Sequence, residues 1–107
     1  MGDPLTLPLT EQTALSILRD IAGDTRRLIL THHAKERMVQ RKATLTDVIR
    51  VIKRGRITEG PAQAANGSWE LKMEGVSAGT HLQVVVAIDF KELIIESCVA
   101  IVVTVIN

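Results

Sequence analysis

Apolar residues change their rhythm along this chain. Before Gly60-Pro61 they recur every three or four positions; beyond it they alternate or run together. Ala14, Leu15, Ile17, Leu18, Ile21 and Ala22 share one helical face. Thr10 can cap that helix, Glu11 suits its positive end and Gly23 stops it. "RRLILT" reads as a brief strand or an extended connector. Thr31 can cap a second helix from about His32 to Lys42. "LTDVIRVIKRG" predicts a third, with Thr46 as N-cap, Asp47 at the positive end and Lys53 and Arg54 at the negative end. Gly55 ends it, and Val48, Ile49, Val51 and Ile52 supply its buried face.

In the second half Asn66-Gly67 is a turn signal. "SWELKME" places Trp69, Leu71 and Met73 on one strand face and Glu70, Lys72 and Glu74 on the other. "GVSAG" reads as a further turn. "HLQVVVAID" and "VAIVVTVI" are nearly continuously apolar and read as central strands, joined by "DFKE", with "LIIES" extending one of them. Helices first and strands afterwards predict an α+β domain, with helices packed on one face of an antiparallel sheet. At 107 residues the chain reads as one domain, 1–107, with 1–9 as a lead-in.

Composition narrows the class. The apolar content is 46%, drawn from Val, Ile, Leu and Ala with one Trp, one Phe and no Tyr, which fits a packed domain and not a disordered chain. Cys98 is the single cysteine, so it has no disulfide partner within the chain, and its apolar run makes it a small buried hydrophobe. The start lacks the charged and apolar regions of a signal peptide, and no apolar run is long enough for a membrane span. A cytoplasmic protein without membrane contact is expected.

Charge is uneven. Residues 26–56 carry ten basic and two acidic side chains, net +8; the remainder carries three and ten, net −7. Such a field suits a polyanionic partner, a nucleic acid or an acidic protein segment. The alternative is a solvated helix pair whose charges are matched by acids elsewhere in the fold.

The centre of that segment is "LTHHAKERMVQR". On a helix His33, Arg37 and Arg41 lie four apart and share a polar stripe beside the core-facing Ala34 and Met38. A histidine exchanges protons near neutral pH, and arginine forks grip phosphate oxygens. A base beside phosphate clamps suits RNA transesterification, in which the 2′-hydroxyl is the nucleophile and no metal is needed. Ordinary surface arginines with a capping histidine give the same spacing. His32, Glu36 and His81 could instead hold a metal, but adjacent histidines diverge by about 100° and no further Cys or His joins them, so neither metal nor cofactor is expected. There is no phosphate-cradling glycine loop, and the stripe fits a helix-turn-helix DNA reader poorly.

"THHAKERMVQRKATLTDVIRVIKRGRI" resembles the opening of the domain-of-unknown-function family 4258, whose signature is His-Ala, two residues, Arg, then Arg four further on: here His33-Ala34, Arg37 and Arg41. "GSWELKMEG", "HLQVVVAID" and "VVTVI" look like its strands, so the likeness spans roughly residues 28 to 106. That family is similar to small toxins of the RelE, ParE and BrnT kind. The resemblance implies a RelE-like fold, helices on a four-stranded antiparallel sheet. It also implies a toxin that pairs with an antitoxin, in many members a metal-independent endoribonuclease, whereas ParE-like relatives poison gyrase. The chain departs from that group in having no Tyr near the end of its last strand.

The expectation is therefore a toxin of a toxin–antitoxin pair, with RNA and an acidic antitoxin as partners. His33 would act as base or acid, with Arg37 and Arg41 on the scissile phosphate. His32, Lys35, Lys42, Lys53, Arg54 and Lys72 would bind the RNA backbone. The alternatives are a non-catalytic RNA- or protein-binding module using the same patch, and a subunit that forms a homodimer through its sheet edge.

Overall fold

The computed structural model describes residues 9–89 and 98–106. Helix α1, Glu11–Ala22, is capped by Thr10, whose Oγ1 accepts from the Thr13 amide at 3.1 Å, and it closes with Gly23 N–H donating to the Asp20 carbonyl. It buries Ala14, Ile17, Leu18, Ile21 and Ala22, the expected stripe less Leu15, which is partly buried. A 3-10 turn at Thr25–Arg27 leads into strand β1, Leu28–Leu30, and Thr31 then caps α2, His32–Arg41.

Helix α3, Leu45–Arg54, begins one cap earlier than the sequence suggested. Its N-cap is Thr44, not Thr46. Thr44 Oγ1 accepts from the Asp47 amide at 3.2 Å, while Asp47 Oδ2 accepts from the Thr44 amide at 2.8 Å. This reciprocal box needs an acceptor side chain three residues after the cap. Starting from Thr46 that place falls to Ile49, which has none.

The remaining elements are β2 (Arg56–Gln63), β3 (Trp69–Ser77), β4 (Thr80–Asp89) and β5 (Val99–Ile106). They form one five-stranded sheet with β1, in the order β1-β5-β4-β3-β2. The four-stranded antiparallel sheet is thus corrected twice. β1 lies between α1 and α2 in the chain and pairs parallel with β5, Leu28 opposite Ala100 and Leu30 opposite Val102. β2 is an extra edge strand, antiparallel to β3, with two register irregularities and a cis Gly60-Pro61 peptide. The expected turn at "GVSAG" is shorter than predicted: β3 runs on through Ser77 and only Ala78-Gly79 turn. The Asn66-Gly67 turn stands where expected, Asn66 Oδ1 accepting from the Ser68 amide and hydroxyl. Phe90 and the 91–97 stretch, including "LIIES", lie outside the described residues, as does most of the lead-in.

The helices cover one face of the sheet. α2 packs on β5 and α3 on β3 and β4, with α1 laid against α3. Between them lies one apolar cluster that includes Leu71, Met73, Leu82, Val84, Val86, Ile88, Ala100, Val102 and Val105. Each Val, Leu, Ile or Met among them, fully buried, contributes roughly 1.5–3 kcal/mol. The alternate residues turn to the opposite face, where Lys72 pairs with Glu59 and Arg56 with Glu74. Cys98 is fully buried, as expected, and burial pushes its thiol up. Among the described residues no helix is long and apolar enough to cross a membrane.

Candidate nucleic-acid interface

Thr31 fixes where α2 starts. Its hydroxyl donates toward the Val102 and Val103 carbonyls, at 3.1 and 3.0 Å, and accepts from the Ala34 amide at 3.0 Å. The chain therefore leaves β1 and enters α2 pinned to β5. The register slips between the β4 residues Val85 and Val86, opposite Thr104 and Val102, so Val103 bulges there. At the other end Lys42 adopts the left-handed conformation, φ 56°. Its amide and that of Ala43 return to the Val39 and Met38 carbonyls.

Between these anchors Ala34 and Met38 are buried, and the expected stripe runs beside them. His33 and Arg41 are exposed; Arg37 is half-buried. Arg37 Nη1 donates to Gln40 Oε1 at 3.2 Å, while its Nε is buried without a hydrogen-bond partner among the described residues. The three residues are spread along the helix axis. At 1.5 Å per residue, His33 and Arg37 start about 6 Å apart along the axis and His33 and Arg41 about 12 Å apart. The stripe matches a run of phosphates better than one phosphate.

Lys35, Arg41, Lys42, Lys53 and Arg54 are all exposed, and none has an ion-pair partner among the described residues. The nearby acids are occupied. Glu36 faces His32 at 2.9 Å, and Asp47 is held by Ser77 and Thr44. The solvated alternative raised by the sequence would match these five cations with acids, and among the described residues no acid does so. Lys53 and Arg54 lie at the far end of α3 from Lys42, so they extend the positive surface and do not join the stripe.

Two expected site residues sit elsewhere in character. Lys72 lies on the sheet face opposite the helices, 3.3 Å from Glu59, so it does not share a face with α2. The alternation that exposed it also turned it away, because Leu71 and Met73 point under the helices. His32 is engaged by Glu36, and His81 lies near Glu74 at 3.3 Å on a different element. Among the described residues no three His, Cys, Asp or Glu side chains gather closely enough to hold a metal ion.

A polar network went unread in the sequence. Ser77, at the end of β3 and 4% exposed, accepts from Arg50 Nη1 at 2.8 Å and donates to Asp47 Oδ1 at 2.5 Å. The Ser77 hydroxyl, the Thr44 amide and hydroxyl, and nearby Arg50 together hold the Asp47 carboxyl below its ordinary range. This network borders a cleft of about 250 Å³ lined by Arg41, Lys42, Asp47, Ser77, Thr80 and Leu82, with Ala43 and Ala78. The Thr44-x-x-Asp47 spacing was its only trace in the sequence.

No curated protein and no solved structure matches the chain. A family model does match, over residues 30–107, the span from the end of β1 through the sheet, with both α2 and α3 inside it. The chain belongs to the family described as Domain of unknown function (DUF4258).

Proposed function

We propose that the α2–α3 surface binds RNA, and that the chain is the toxin of a toxin–antitoxin pair that cleaves RNA without a metal. The observation that carries the reading is the set of exposed cations on and beside α2 and α3 with no carboxylate partner among the described residues, Lys35, Arg41, Lys42, Lys53 and Arg54. Unmatched cations suit a row of phosphates, whose binding releases counterions. His33, Arg37 and Arg41 match the family's signature, and the similarity of that family to RelE-like toxins supports the choice of RNA and of a toxin. An acidic antitoxin segment would cover the same surface.

In this reading His33 and Arg37, one helical turn apart, act at the scissile phosphate. The imidazole takes the proton of the 2′-hydroxyl. The 2′-oxygen forms a bond to phosphorus, and the bond to the 5′-oxygen breaks. The 5′-oxygen leaves with a proton from water, giving a 2′,3′-cyclic phosphate and a 5′-hydroxyl. Arg37 stabilises charge on the phosphorane, and Arg41, further along, holds a neighbouring phosphate. A second reading, binding without cleavage, is favoured by the exposure of His33 and the spread of the stripe. An edge-to-edge homodimer draws no support from sheet edges made of the three-residue β1 and the irregular, proline-bearing β2.

Expression and RNA cleavage by wild type, His33→Ala and Arg37→Ala distinguish these readings. Cleavage and growth arrest lost in both variants, with RNA still bound by His33→Ala, supports the nuclease. RNA bound but never cut by pure wild type supports the binding module. Variants that cut like wild type overturn the assignment of His33 and Arg37.

A further inference from the structure

We infer that the cleft between the end of α2, the start of α3 and the β3–β4 turn is a nucleotide subsite that prefers bases carrying an exocyclic amine. The inference rests on the RNA reading and deepens it. Cations stand at the cleft's rim and an oriented acceptor within it. Arg41 and Lys42 are exposed and have no carboxylate partner among the described residues. Asp47 accepts three hydrogen bonds, from Ser77, the Thr44 amide and the Thr44 hydroxyl. A carboxylate has about four acceptor sites, so one remains for a ligand donor. Leu82, Ala43 and Ala78 give the cleft an apolar part against which a flat ring can lie.

The backbone singles out the same place. Among the described residues two non-glycine residues have positive φ, Lys42 at 56° and Ala78 at 51°. Both line this cleft. Left-handed backbone without glycine costs roughly 1–2 kcal/mol per residue, and such costs cluster where a site needs a particular shape. Ala78-Gly79 close a two-residue hairpin in which asparagine-glycine is the favoured pair. The small side chain at 78 instead leaves the cleft open.

The phosphate of one RNA residue would meet Arg41 and Lys42, and its base would donate to Asp47. Cytosine, adenine and guanine carry an amine that can do so, whereas uracil has only its ring N3–H, flanked by two carbonyl oxygens that a carboxylate repels. The site is thus selective against uracil, while the rest of the α2–α3 surface is indifferent to sequence.

The test uses the whole chain. Binding of ten-residue oligomers of rA, rC and rU is measured for wild type and Thr80→Tyr, whose ring would occupy the cleft. In parallel, backbone amide shifts of wild type are followed during titration with AMP, CMP and UMP. Wild type should bind rA and rC at least about fivefold tighter than rU. AMP and CMP should move the amides of residues 41–43 and 77–80, and Thr80→Tyr should level the three oligomers. Equal binding of all three, with shifts spread along α2 and α3, overturns the subsite and leaves the RNA reading intact. No binding of any oligomer overturns both. The titration needs no variant, so a poorly folded Thr80→Tyr does not decide the matter.

Discussion

The Ser77 hydroxyl donates to the Asp47 carboxylate at 2.5 Å and thereby ties the end of β3 to the first turn of α3. The same hydroxyl accepts from Arg50 one turn further along that helix. Ser77→Ala removes both bonds and leaves an arginine and a carboxylate short of a partner. The expected loss is about 1–3 kcal/mol at neutral pH, read by urea unfolding. Asp47 is held below its ordinary range, so its contribution is full above the unfolded-state value and fades as pH falls through the lower folded value. Ser77 is the leading cause of that depression. The gap between wild type and Ser77→Ala should therefore narrow as acid protonates Asp47; a gap that widens on acidification would refute this account.

Gly55 ends α3 where the helix crosses β3. A Cβ added there would collide with the Glu74 carbonyl oxygen and lie 2.5 Å from that of Val51. Opposite it, a Cβ on Gly75 would come within 3.2 Å of the Gly55 Cα. Both neighbours are backbone, so neither can swing aside. Gly55→Ala should cost about 1–3 kcal/mol by forcing α3 away from the sheet. Thermal unfolding checks it, and an unchanged melting temperature would show that the helix end is free to move.

These two contacts indicate which parts of the molecule were legible in the sequence. Helices α1 and α2 were, because Thr10 and Thr31 each precede a periodic apolar stripe. The start of α3 was misread because Thr44 and Thr46 are both good caps, and only the partner at Asp47 separates them. β2 was missed since Gly60-Pro61 breaks its alternation, as befits an edge strand. The pairing of β1 with β5 joins residues about seventy positions apart, and no local pattern encodes it. The α2 stripe was legible for the same reason as the helix. The cleft was not, because Arg41 and Asp47 meet Ser77 and Thr80 only through the fold.

Lys42 takes the left-handed position in which helix ends favour glycine. Lys42→Gly should stabilise the chain by about 1 kcal/mol by removing the steric penalty of the Cβ. It should also weaken RNA binding, since a rim cation is lost. Unfolding and RNA titration on one preparation test both. A variant that is more stable and binds RNA undiminished would remove Lys42 from the interface.

Lys53 and Arg54 continue the positive surface along α3 without a carboxylate partner among the described residues. If each neutralises one phosphate of single-stranded RNA, replacing both with Ala should flatten the slope of log K against log salt by about 1.4. The loss should be the same for every oligomer, because phosphate contacts carry no base information. An unchanged slope would confine the interface to α2.

Arg37 separates function from stability. Its Nε is buried without a partner among the described residues, although Nη1 reaches Gln40 at 3.2 Å. An unsatisfied buried donor costs about 1–3 kcal/mol, which a fold bears more readily where the group serves a ligand. Arg37→Met keeps an unbranched stem beside Ala34 and Met38 and removes both the orphaned donor and the charge. The expected outcome is a melting temperature equal to or above that of wild type, together with loss of RNA cleavage or, for a binding module, weaker RNA affinity. If the variant unfolds earlier, Arg37 is chiefly a structural strut. If it is stable and fully active on RNA, the stripe on α2 is an ordinary solvated helix face.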